Sequence, residues 1–157
     1  NGSILVETLM PRLDLAAVEQ TNRTGYPEPY ASEMSGRRYR RIGDFAGLED
    51  FGASHVVLKP GAWTSQRHWH AEEDELLVML SGRAVLVEDD GEQELSAGDI
   101  VAWPAGSRNG HHLINRTSEP CTFLCVSAGK NKGGGYSDID MLFTADDRYV
   151  HKDGTPY

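Results

Sequence analysis

Positive charge is scarce in this chain. Fifteen lysines and arginines stand against 24 aspartates and glutamates, for a formal net charge of -9 at neutral pH. Nucleic acid and anionic membranes both reward basic surfaces, so neither is expected as a partner. Long apolar runs are also missing: no stretch approaches the roughly 18 residues of a bilayer-spanning helix. The opening Asn1-Gly2-Ser3 lacks the basic-then-apolar pattern of a secretory leader, so a cytoplasmic location is expected. Cysteine is limited to Cys121 and Cys125. They lie on what reads as one strand, where four residues span roughly 13 Å, whereas a disulfide needs Cα atoms within about 7 Å. Both are therefore expected as small core residues.

What is present is a single-domain length of 157 residues, enough to enclose a core and a small cavity. Residues 1–45 read as an N-terminal arm with a short helical candidate at Leu13–Gln20. Its Gly36-Arg-Arg-Tyr-Arg-Arg41 is the only dense positive charge, read as a solvated face or a subunit contact rather than a phosphate site, since no glycine-rich loop or helix start accompanies it. From 46 to 128 the texture changes to short alternating runs cut by Gly, Pro and Asp-Gly. Strands are expected at 54–59, 63–70, 75–80, 83–88, 92–95, 100–103, 111–116 and 121–127, with a tight hairpin at Asp89-Asp-Gly91. So many short antiparallel strands need a closed or double-sheet solution to hide their edges, and an all-β jelly-roll barrel is the economical one. Residues 129–157 form a C-terminal tail. Lys132-Gly-Gly-Gly135 reads there as a flexible break, and the alternation of Ile139, Met141 and Phe143 as an edge strand on the barrel or on a partner subunit.

The chemistry concentrates in Gly61–Glu75. Residues two apart on a strand share a face, so His68 and His70 can offer both imidazoles to one ion, and Thr64 and Gln66 are expected on the same wall. Of Glu72, Glu73, Asp74 and Glu75, the last shares a face with Leu77 and Met79 and is favoured as a third ligand, the others being read as solvent-facing. A fourth is expected from Gly110-His-His-Leu-Ile-Asn115, where parity allows only one of His111 and His112 to face the ion. Imidazole with carboxylate suits a divalent transition ion such as Zn, Mn, Fe or Ni.

These residues carry a resemblance. Gly61, His68, His70, Glu75 and Gly82 resemble the first cupin motif, with six residues before the first histidine where the motif has five. Gly98, Pro104, Gly106, His111 and Asn115 resemble the second, with four residues rather than two between Gly106 and His111, so that Asn109 occupies the motif's histidine position. The spacing to Asn115 selects His111 as ligand, with His112 as the alternative. The resemblance covers about residues 53–127 and implies a double-stranded β-helix barrel with His68, His70, Glu75 and His111 around a metal. The surrounding text is similar to bacterial single-cupin proteins, some labelled sugar-phosphate isomerases.

The function expected is metal-dependent chemistry on a small oxygen-rich metabolite, of isomerase, lyase or oxygenase type; the alternative is a non-catalytic binding or sensing module using the same pocket. Three imidazoles and a carboxylate leave open positions on an octahedral ion. His112, Gln66 and Asn109 are the candidates for proton transfer or orientation, and Lys59, Arg83 and Arg108 for reaching a phosphate at the barrel mouth. A homodimer is expected, since one small barrel would not easily cover the aromatic residues of arm and tail.

Overall fold

The computed structural model describes residues 11–157. The first ten residues of the arm, including Asn1-Gly2-Ser3, lie outside the described residues.

Alternating apolar positions build the barrel. In β4 (Glu73–Ser81) Leu77 and Met79 point inward, in β5 (Arg83–Glu88) Ala84 and Leu86, and in β9 (Cys121–Gly129) Cys121 and Phe123. They meet Leu58 of β2 (Gly52–Leu58), Leu95 of β6 (Gly91–Ser96), Trp103 of β7 (Ile100–Trp103) and Leu113 of β8 (His112–Ile114) in one core. Every pairing is antiparallel. β1 (Arg37–Arg40) forms the edge of a five-stranded sheet in the order β1-β2-β9-β4-β7, and β6-β5-β8 lie opposite. A third sheet runs β12 (Tyr149–Val150), β11 (Leu142–Phe143), β10 (Gly134–Tyr136), β3 (His68–His70). Single bridges, His68 to His111 and Trp63 to Ile114, join β3 and its approach to β8 and close the second wall. This is the all-β jelly-roll barrel expected. At the turn between β4 and β5, Gly82 has φ +72°, and a Cβ there would lie 2.8 Å from the Pro120 carbonyl oxygen. Only glycine fits both demands.

Three expectations need correction, and the basic run, read only as charged surface, gains a structure of its own. The segment 63–70 is not one strand. Only its last three residues are, and 64–67 bend, because Leu113 N–H donates to the Thr64 hydroxyl at 2.9 Å and the Gln66 amide bonds outward to Glu33. The helical candidate Leu13–Gln20 reduces to a 3-10 turn, Leu15–Ala17, capped by the Asp14 carboxylate on Ala16 N–H at 3.1 Å. The basic run is a strand, paired along β2 from Arg37 opposite Leu58 to Arg40 opposite His55. Finally, Gly134 and Gly135 are no break: they pair with His70 and Trp69, and a Cβ on Gly134 would sit 2.0 Å from the Trp69 carbonyl oxygen.

Arm and tail share a second cluster, in which Tyr26 and Met34 are buried with Tyr136 and Met141, packed by Trp63, Phe143 and Tyr149. The alternating tail residues thus pack on the barrel of their own chain. Among the described residues no helix is long and apolar enough to cross a membrane.

Candidate metal centre

β3 presents His68 and His70 on one side, while Trp69 points away under the Arg108 guanidinium, 5.0 Å from its ring. β4 runs on the facing sheet and brings Glu75 to them. One ligand atom from each of His68, His70 and Glu75 lies within 4.8 Å of the others. From the start of β8, His111 reaches the same carboxylate, its Nε2 2.7 Å from Glu75 Oε1, and His70 Nε2 is 3.2 Å from Oε2. Trp103 stacks flat on the His111 ring at 3.6 Å and 2°.

The rings are oriented by the chain itself. His68 Nδ1 is 2.9 Å from the Gln66 carbonyl and 3.1 Å from the Ser65 hydroxyl, and His111 Nδ1 is 3.0 Å from the Asn109 carbonyl. Carbonyls only accept, so each Nδ1 carries its proton and donates. His70 Nδ1 faces the Glu73 carboxylate at 3.3 Å. In all three rings Nδ1 is met from behind and Nε2 is the nitrogen turned to the cluster, where those of His70 and His111 meet the Glu75 carboxylate. Burial lowers the His68 pKa to about 4, so this imidazole is neutral at pH 7. For His70, burial works the same way but the Glu75 and Glu73 carboxylates outweigh it and raise its pKa. Burial would raise the Glu75 carboxyl, yet hydrogen bonds from His111 and His70 dominate and hold it well below the usual carboxylate range.

The other candidates separate clearly. Asn109 turns to the β5–β6 hairpin, where its amide nitrogen bonds Glu88 and its oxygen accepts from Asp89 N–H at 3.0 Å. The lengthened loop is therefore anchored on the hairpin, and its contribution is the Asn109 carbonyl behind His111. Gln66 is buried but bonded to Glu33, away from the ligand cluster. His112 is buried with Nδ1 2.9 Å from the Ser65 carbonyl and its ring edge-on to Trp63 at 4.7 Å, and burial lowers its pKa.

His68, Glu75, His111 and His112 line a cavity of about 380 Å³ inside the barrel, with Tyr26 of the arm and Tyr149 of β12 also on its walls. Thr64 does line it, as expected, and so does Cys125, whose thiol burial keeps protonated. Both cysteines are free. Lys59, Arg83 and Arg108 are not among the lining residues; Arg83 pairs instead with Glu94 at 3.3 Å.

Several contributors were not legible in the sequence. Glu73, read as a solvent-facing acid, stands behind His70. Trp103, a strand-end aromatic without a motif, packs flat on His111. Arg37 and Arg41 of the basic run line the cavity together with Arg23. Parity from Glu75 places Glu73 on the same side of β4, and that was the one available signal.

Comparison with known proteins gives matches of different depth. The cupin domain family model matches residues 54–127. A sugar phosphate isomerase of the cupin superfamily from Silicibacter pomeroyi, known from its crystal structure, is 42% identical, with 94% of this chain and 96% of that one covered at a TM-score of 0.89. Two more distant structures share the fold: a candidate sugar phosphate isomerase from Acidithiobacillus ferrooxidans (21% identity, 77% and 80% covered, TM-score 0.68) and the polyketide cyclase RemF from Streptomyces resistomycificus (23% identity, 76% and 80% covered, TM-score 0.61). Comparison with curated proteins finds no match. A family model spanning the barrel core and a relative 42% identical over nearly the full length of both chains place this protein in the cupin superfamily.

Proposed function

We propose that the chain is a metal-dependent isomerase acting on a small oxygen-rich metabolite, with a phosphorylated sugar as the substrate class, and that His68, His70, Glu75 and His111 hold a divalent transition ion of the Zn, Mn, Fe or Ni kind. The observation that carries this reading is the set of groups behind the rings: the Gln66 and Asn109 carbonyls accept from Nδ1 of His68 and His111, the Glu73 carboxylate lies beside Nδ1 of His70, and Nε2 of each ring is turned toward Glu75 and the cluster. With the anionic Glu75 among them, the donor set is that of a transition-metal site. The substrate class follows the description of the Silicibacter pomeroyi relative. Once bound, the ion supplies Lewis-acid polarisation of a substrate oxygen.

The chain supplies the rest. Tyr26, Leu77, Leu113, Phe123 and Tyr149 give the cavity apolar walls that strip water from a bound molecule. His112, kept neutral by burial, is the group in the cavity suited to accept and return a proton in an isomerisation. A second copy completes the proposal. Leu76, Leu80 and Ile100 stand exposed on the outer side of the five-stranded sheet, an apolar patch suited to an isologous dimer.

Elemental analysis of protein purified without added metal tests the central claim. About one equivalent of a transition metal is expected, and its absence refutes the reading. His68→Ala with His70→Ala should remove the metal while the far-UV circular dichroism stays unchanged. His111→Ala should also lose metal; His112→Ala should keep it and lose turnover of ketose phosphates. Metal loss confined to His112→Ala would overturn the ligand assignment, and full metal without turnover on any phosphorylated sugar would favour a binding module.

A further inference from the structure

Arg37 and Arg41 from the two ends of the basic run, together with Arg23 of the arm, line the same cavity as His68, Glu75 and His111. Glu75 is the one carboxylate among the lining residues. A chain of net charge -9 therefore places three guanidiniums against a single carboxylate on these walls.

The three arginines differ in how they are held. Arg37 is fixed: Nη1 donates to the Thr64 carbonyl at 2.9 Å, Nη2 to the Arg23 carbonyl at 3.4 Å, and its guanidinium lies 5.3 Å from the Tyr39 ring centroid. Its Nε is buried and has no hydrogen-bond partner. No salt bridge to Arg37 occurs among the described residues, so its charge is uncompensated, and a buried N–H of a cation without an acceptor is costly. Arg23 and Arg41 are exposed, paired loosely with Glu19 at 3.0 Å and Asp44 at 3.9 Å. Exposed pairs of this kind contribute little and are easily exchanged for another anion. A second hollow outside the barrel shares Arg23, Thr24, Gly25, Tyr39 and Arg41 with the cavity, so these residues form the threshold between the two.

We infer that Arg37, with Arg23 and Arg41 at the threshold, seats the phosphate monoester of the substrate and turns its oxygenated carbon end toward Glu75 and the histidines. The inference deepens the isomerase reading by assigning the phosphate end of that site, but the seat itself uses no metal ligand. A fixed guanidinium with an unused donor, flanked by two exposed ones, matches a dianion with three acceptor oxygens.

The test is binding of glycerol 3-phosphate, glycerol and inorganic phosphate to the full chain, followed by ligand-observed NMR and titration at two salt concentrations. Glycerol 3-phosphate is expected to bind and to weaken as salt rises, while glycerol should not bind. Arg37→Met should raise the Kd at least tenfold, and Arg23→Met with Arg41→Met severalfold. Should Arg37→Met fail to fold, the exposed Arg23/Arg41 pair still decides. The metal-free His68→Ala/His70→Ala protein should retain phosphate binding, so a failed metal reading leaves this outcome standing. Equal binding of glycerol and glycerol 3-phosphate would overturn the inference, as would wild-type affinity in folded Arg37→Met or, if that variant does not fold, in the Arg23/Arg41 variant. Binding of inorganic phosphate that no arginine substitution weakens would do the same.

Discussion

Asn115 offers the sharpest test of how the second motif works. Its side chain is completely buried and uses all of its hydrogen-bonding capacity: Nδ2 donates to the Leu58 carbonyl at 2.9 Å and the Glu119 carbonyl at 2.8 Å, while Oδ1 accepts from Thr117 N–H at 2.9 Å and the Thr117 hydroxyl at 2.7 Å. Asn115→Asp changes no volume but places an oxygen where two carbonyls require a donor. As a neutral acid it can serve one of them, so one buried acceptor is left unpaired at a cost of about 1–3 kcal/mol. Keeping the carboxyl protonated at pH 7 against an unfolded pKa of about 3.9 adds up to ~4 kcal/mol, at 1.36 kcal/mol per pH unit. The sign follows from proton binding. The folded variant holds its proton to higher pH than the unfolded chain, so stability falls as pH rises above about 4 and levels off only beyond the folded pKa. Urea denaturation at pH 4.5 and pH 7, each against wild type, should show a loss of about 2 kcal/mol growing to about 5 kcal/mol. A loss below about 1 kcal/mol at pH 7, or one that does not change between the two pH values, would refute the assignment of Asn115 as a fully satisfied bridge.

Gly134→Ala should cost about 3 kcal/mol by calorimetry and lower metal content with it, because a Cβ there would lie 2.0 Å from the Trp69 carbonyl oxygen and 2.4 Å from the Phe143 ring, forcing β10 off β3; a wild-type melting temperature would contradict this. Leu80→Lys with Ile100→Glu, two exposed residues of the outer sheet face, should convert a dimer to a monomer in sedimentation at unchanged circular dichroism, and a dimer that survives would place the interface elsewhere.

The strands legible in the sequence are those whose alternation is enforced by the barrel interior. Leu77 and Met79, or Ala84 and Leu86, advertise their face because the opposite residues meet solvent or a second layer. The Asp89-Asp-Gly91 turn was equally readable, since its residues prescribe the backbone locally, and β5 pairs with β6 from Arg83–Ser96 to Glu88–Gly91 as expected. Glu75, favoured on parity, lies beside His111, which parity left open against His112 and only the motif spacing to Asn115 selected. What was hidden depends on distant partners. The bend at 64–67 is set by Glu33 and Leu113, which no local pattern announces. β1 alternates no apolar residues; Arg38 is exposed and Arg37 and Arg40 extend to carbonyls of Thr64 and Val18, so its charge read as surface. Gly134 and Gly135 carry a composition that signals freedom in isolation, yet serve here to let two backbones touch.

The pairing of β3 with β10 sets an order of events during synthesis. His68, His70, Glu75 and His111 all leave the ribosome before Gly134–Tyr136, the strand against which the two-histidine segment is hydrogen-bonded. A nascent chain halted after residue 127 would display both motifs and every proposed ligand, but with one flank of the histidine strand unpaired. A stretch translated after every proposed ligand is therefore the one that pairs with the two-histidine strand, and ion capture by the growing polypeptide is expected to become tight only when that stretch has docked.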